Sequence, residues 1–179
     1  MIPIELALRI IEAIKKNEEF RVYVVIPIHP EGDPKSAPVQ EILRWQFYTM
    51  QMMYKKIGAA IQDAKLVNAH PTDYLSFFCL TKRDSANNLP QSGLTQPVPH
   101  TPPEECRRSF RFMIYVHSKM AIFDDEYIII GSANINERSM SGRRDSEMAF
   151  GGYQPNLMDN GDVRTYRLAG ESHELLFIR

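Results

Sequence analysis

Cysteine is scarce in this 179-residue chain, which has Cys79, Cys106 and no CxxC or paired Cys/His spacing. A disulfide scaffold and a zinc module are therefore excluded, and a reducing compartment is the expectation. Long apolar runs are absent as well: no stretch approaches the ~20 residues of a membrane-spanning helix. The opening Met1-Ile2-Pro3-Ile4-Glu5 lacks a basic segment leading into an apolar core. No secretory signal is visible, and a cytoplasmic location is expected. Nor does one charge dominate. With 21 Lys and Arg against 22 Asp and Glu the net charge is −1, whereas a dedicated nucleic-acid binder is usually strongly basic, so nucleic acid is not an expected partner. Disorder of the bulk of the chain is excluded by 44% hydrophobic and 24% charged residues, which is ordinary globular usage.

What is present is an alternation of helical and strand patterns. Pro3 suits a first helical turn, and Ile4, Ala7, Leu8, Ile11 and Ile14 follow with the spacing of one buried helix face over residues 3–19. Residues 21–27, RVYVVIP, are β-branched and aromatic and read as a core strand. Ser36 can cap a second helix with Pro38 in its first turn. Val39, Ile42, Leu43, Met50, Met53, Tyr54, Ile57 and Ile61 then hold helical spacing. This Met-bearing stripe is expected in the core rather than against lipid, because Met fills irregular interiors readily.

Residues 73–81 read as the next strand, with Cys79 a buried small hydrophobe. Residues 84–106, DSANNLPQSGLTQPVPHTPPEEC, keep no apolar period and read as a flexible loop that includes Cys106. Strand patterns follow at 111–116, 120–123, 127–130 and 146–150, and the apolar pattern weakens after Gln154-Pro155. The expected fold class is α/β, a mixed β-sheet sandwiched by helices.

One segment carries chemistry: Val116-His117-Ser118-Lys119, then Asp124, then Gly131-Ser132-Ala133-Asn134. On an extended backbone residues two apart share a face, so His117 and Lys119 are expected to meet the same space. An imidazole beside a fixed ammonium suits phosphoester chemistry. The imidazole can attack phosphorus or move a proton, and the ammonium stabilises charge on phosphoryl oxygens. Gly131 allows a tight turn, and Ser132 and Asn134 offer hydroxyl and amide donors to the same phosphate. Between residues 107 and 144 seven basic residues stand against Asp124, Asp125, Glu126 and Glu137, a local excess that fits an anionic phosphate surface.

His117, Lys119 and Asp124 resemble the HxKxxxxD signature of the phospholipase D superfamily, and Gly131–Asn134 resembles its GSxN element. The stretches 112–117, 124–136 and 138–140, Arg144-Asp145-Ser146-Glu147 and Gly152-Tyr153-Gln154-Pro155 are similar to the second catalytic motif of the plant-type enzymes. Upstream, residues 22–27, Trp45-Gln46 and 52–54 fit the same family. The resemblance implies a single phospholipase D-like half over residues 1–155, incomplete by itself, with a divergent or truncated tail at 156–179.

It also implies hydrolysis of phosphatidylcholine-like lipids to phosphatidic acid and a free alcohol through a phosphohistidine. His117 matches the second of the family's two histidines, the acid toward the leaving alcohol, and Lys119, Ser132 and Asn134 match phosphate-binding positions. Asp124 completes the catalytic motif as a structural member rather than a proton carrier. Glu147 matches the carboxylate that holds the imidazole, with Asp145 as the alternative.

The chain also departs from that pattern. The plant-type enzymes carry two HxKxxxxD motifs and this chain carries one; His29, His70, His100 and His173 all lack a lysine two residues on. The expected partners are therefore a phospholipid membrane surface, met peripherally, a phosphatidylcholine-like substrate, and a missing first-motif half or a second copy of the chain. No cofactor is identifiable in the chain, and calcium is expected for the full-length plant-type family. Two alternatives stay open: a homodimeric single-motif phosphodiesterase or nuclease, and a catalytically inactive phospholipid-binding fragment.

Overall fold

Pro3 and a run of apolar residues start α1 (Ile2–Lys16), which buries Pro3, Ala7, Ile10, Ala13 and Ile14. The buried stripe is turned from the expected one: Ile10 and Ala13 take the place of Leu8 and Ile11, and Leu8 is exposed. Small side chains at positions 7 and 13 let the neighbouring helix approach closely. Asn17 ends α1 in the left-handed region (φ 55°). There Glu18 N–H donates to the Ala13 carbonyl at 2.9 Å and Asn17 N–H to that of Ile14 at 3.2 Å, a Schellman stop.

The computed structural model describes residues 2–27, 35–83, 101–153 and 174–177, with Asp33 and Pro99. After β1 (Val22–Val25) comes α2 (Ala37–Asp63). Ser36 sits at its N-cap with Pro38 in the first turn, yet its hydroxyl donates to the Asp33 carbonyl at 2.8 Å and makes no side-chain cap. The expected Met stripe does lie in the core, where Met53 and Ile57 are fully buried. A single 3-10 turn, Pro71–Asp73, leads into β2 (Leu75–Arg83). His70 caps that turn through Nδ1, which lies 3.3 Å from the Thr72 N–H, and so has a structural task.

Most of the expected loop at 84–106 lies outside the described residues, but its end does not. Residues 102–106, Cys106 among them, belong to the helix α3 (Pro102–Ser109). The Pro-Pro-Glu-Glu opening that made the segment look loop-like is equally a helix start, since proline and acidic residues both suit a first turn. Next come β3 (Arg111–Met113), β4 (Lys119–Phe123), β5 (Tyr127–Gly131), the short α4 (Glu137–Met140) and β6 (Ala149–Tyr153). Within the tail, β7 (Glu174–Phe177) pairs with β2.

The strands form one mixed sheet in the order β3-β2-β1-β4-β5-β6, with β7 also on β2. β1 and β2 run parallel, while β1 and β4, β4 and β5, and β5 and β6 are antiparallel. Val22 and Val24 of β1 lie opposite Leu75 and Phe77 of β2. These four side chains meet Ala7, Ile10, Ile14, Met53, Ile57 and Ile61 in the main core, so α1 and α2 cover one face of the sheet. Fully burying such a side chain contributes ~1.5–3 kcal/mol each. The fold is α/β, as expected, and its register sets one end of β4 and β5 as the place where the motif residues gather.

Candidate active site

The row Lys119–Gly131–Ala149 crosses β4, β5 and β6 at one end of the sheet. Lys119 is the first residue of β4 and is 5% exposed; its Nζ donates to the His117 carbonyl at 2.6 Å. The ladder of β3 ends at Met113, so His117 sits in the irregular stretch between β3 and β4. Its ring is exposed, 5.9 Å from that of Tyr115. His117 and Lys119 therefore share one end of the sheet. The ammonium, however, is turned onto the histidine's backbone, and the imidazole stands outward where a phosphoester in solution or at an interface can reach it.

Gly131 holds this end together in a way the sequence did not suggest. It is the last residue of β5 rather than a turn residue. A Cβ there would lie 2.7 Å from the Met148 carbonyl oxygen and 2.8 Å from the Ala149 Cβ. Its role is to let β6 approach. Ser132 follows, and its N–H donates to the Met148 carbonyl at 2.9 Å. Its hydroxyl donates to Glu147 Oε2 at 2.5 Å and accepts from the Met148 N–H at 3.0 Å. Ser132 must turn its hydroxyl away from Glu147 before it can serve a phosphate. Asn134 is half-buried, and its side-chain amide makes no hydrogen bond among the described residues.

Two carboxylates differ from expectation. Glu147 engages Ser132 rather than the His117 ring. Asp145, the alternative, pairs with Arg138, whose Nε lies 2.8 and 3.0 Å from its two oxygens. The reason is reach: Glu147 directly precedes Met148, which is bonded to Ser132, and that short crossing brings the carboxylate onto the hydroxyl. Asp124 is expected as a structural member of the motif rather than a proton carrier. It lies past the other end of β4, about 16 Å from Lys119 at the rise of an extended strand. Asp124 and Asp125 have φ of 51° and 54°, and Glu126 N–H closes the turn on the Phe123 carbonyl at 3.0 Å. That is the hairpin geometry in which Asp is tolerated. Asp124 is a turn-former, away from the reacting groups.

The same turn takes Asp124, Asp125 and Glu126 to the end of β4 opposite Lys119. The sequence reading also passed over Asn136. It is 2% exposed and caps α4 by accepting from the Ser139 N–H at 3.1 Å, which fixes the chain directly after Asn134. An Asn three residues before Ser, opening a short polar turn, was the available signal. Beside the row lies an apolar cavity of about 220 Å³ whose walls include Lys119, Ala133, Ile135 and Met140. Among the described residues no group of three or more His, Cys, Asp and Glu comes together that could hold a metal ion. No helix among them is long and apolar enough to cross a membrane.

Residues 1–173 match the family described as Phospholipase D; the match runs past residue 155 into the tail. Phospholipase D alpha 1 of Oryza sativa subsp. japonica is 55% identical over 174 residues, covering 94% of this chain and 21% of its own length. Phospholipase D alpha 2 of Arabidopsis thaliana is 54% identical over 155 residues, 87% of this chain and 19% of its own. Phospholipase D delta of the same plant is 54% identical over 159 residues, 87% and 17%. The chain thus spans about a fifth of the length of the relatives it matches.

Proposed function

The chain belongs to the phospholipase D family, and on that premise we propose that it supplies one half of a phosphodiester-cleaving site acting on phosphatidylcholine-like lipids, with peripheral membrane association. The observation that carries the reading is the gathering of His117, Lys119, Ser132 and Asn134 at one end of β4 and β5. A histidine from a complementary motif attacks phosphorus, and the bond to the leaving alcohol breaks. The protonated His117 imidazole gives its proton to that alcohol's oxygen. Neutral His117 then takes a proton from water as water attacks the phosphohistidine, and the P–N bond breaks to release phosphatidate. Lys119, Asn134 and a re-oriented Ser132 hold the phosphoryl oxygens. Glu147 acts on Ser132, not on the imidazole.

The single HxKxxxxD motif favours a site completed by a first-motif half or by a second copy, since a two-fold axis would bring two His117 rings together. Choline release from phosphatidylcholine, measured for the chain alone over a range of concentrations and with a first-motif half added, tests this. Turnover is expected to need one of those two partners, and His117→Ala should lower it by about 10²–10⁴-fold. Unchanged turnover in His117→Ala would end the reading.

A further inference from the structure

The N-terminal half of α2 carries a surface that the phosphate site does not use. Trp45, Phe47 and Tyr48 are 42%, 54% and 47% exposed. Their rings touch: Trp45 and Tyr48 are 6.3 Å apart and Phe47 and Tyr48 5.9 Å. The guanidinium of Arg44 lies 5.5 Å from the Tyr48 ring, and the Trp45 indole N–H donates to Glu41 at 3.4 Å. Three clustered aromatic side chains gain nothing by facing water. Trp and Tyr, with an apolar body and a polar tip, concentrate where one side is apolar and the other wet.

The topology sets the level of this face along the sheet. α2 follows β1, so its N-terminal half stands at the end of the sheet that carries Lys119. Tyr54 packs on Phe77 at 5.7 Å, and Phe77 is the ladder partner of Val24. From that level Trp45 lies nine residues, about 14 Å, along the helix. Lys119 lies two residues, about 7 Å, along its strand. The aromatic face therefore reaches level with the phosphate-gathering end and past it. The described charges between residues 33 and 56 are Lys35, Arg44, Lys55 and Lys56 against Asp33 and Glu41, a balance that suits an anionic interface.

We propose that Arg44, Trp45, Phe47 and Tyr48 form the surface by which the chain seats on a phospholipid interface, the rings in the headgroup layer and the catalytic end turned toward the lipid. This rests on the phospholipid reading above and adds to it where the contact is made.

Trp45 is the single tryptophan of the chain, so its emission reports on this face. With vesicles of phosphatidylcholine and phosphatidic acid, the full chain is expected to show a blue-shifted Trp45 emission that lipids brominated near the headgroup quench. The double variant Phe47→Ser, Tyr48→Ser should need about tenfold more lipid for half-maximal binding at an unchanged Tm. Arg44→Glu, at an exposed position, gives an independent reading through several-fold weaker binding to the anionic vesicles. Absence of the shift, or the same lipid dependence in both surface variants, overturns the proposal. A shift that follows protein concentration without lipid assigns the face to a second copy and overturns it as well. The two readings fail separately. Vesicle binding through α2 with turnover indifferent to His117 ends the catalytic reading and leaves the surface. Turnover on detergent-dispersed lipid with unaltered Trp45 emission on vesicles does the reverse.

Discussion

His117 was legible from its spacing to Lys119, but what each side chain does was not. The lysine amine folds back onto the histidine's own carbonyl, and Ser132 gives its hydroxyl to Glu147. Spacing fixes which residues lie close. Hydrogen bonds are then decided by whichever donor and acceptor reach each other first, and that depends on neighbouring strands. Cys79 is the opposite case, since its apolar run foretold its burial. It is fully buried, and burial pushes its thiol up to about 11 from 9.0. The neutral thiol is thus favoured in the folded state. That stability is fully present below pH 9 and is lost as pH rises through 11, amounting to about 2–3 kcal/mol. Urea midpoints between pH 8 and 12 (roughly one unit either side of the titration) should fall more steeply for the parent than for Cys79→Ala. Equal slopes would show that another group governs alkaline unfolding.

At the scale of elements, the strands were read from β-branched runs and mostly stand where expected, because alternation and composition are local properties. The differences come at junctions. β3 stops at Met113 although the apolar run continues to Val116, since the next positions along β2, Phe78–Leu80, are paired with β7. The final strand starts at Ala149 rather than residue 146, because Ser146 and Glu147 lie in the crossing that delivers Glu147 to Ser132. The glycine of GSxN looked like a turn residue, and its real constraint comes from a strand eighteen residues on. Gly131→Ala would set a Cβ against the backbone of β6 and should cost about 1–3 kcal/mol. A loss of about 2–12 °C in Tm should accompany it, together with a larger fall in phosphodiester turnover, because Ser132 and Glu147 move with β6. A variant with parental Tm and turnover would show that β5 and β6 separate freely.

For the whole molecule, Asp124 shows what the linear motif conceals. In sequence it stands five residues from Lys119, and in the fold it lies at the far end of β4, where two left-handed residues turn the hairpin. The motif is therefore part site and part scaffold. Because no metal-holding group forms among the described residues, adding calcium or a chelator should leave the Tm of this chain where it is. Saturating a true site would stabilise by about 2.7 kcal/mol at a hundredfold excess over Kd, or roughly 5–10 °C at this size, and a shift of that size would reveal calcium held by this chain. The sequence by itself determined the α/β class, most of the strands and the core role of the Met stripe, which rest on periodicity and short spacing, and its family resemblance pointed to His117, Lys119, Ser132 and Asn134 as candidate phosphate-site residues. The tertiary structure decided that Glu147 serves Ser132, that Asp124 is remote, that Gly131 is held by β6, and that the aromatic face of α2 stands at the catalytic end. These depend on strand order and register, which bring together residues far apart in the chain, and no local pattern encodes that distance.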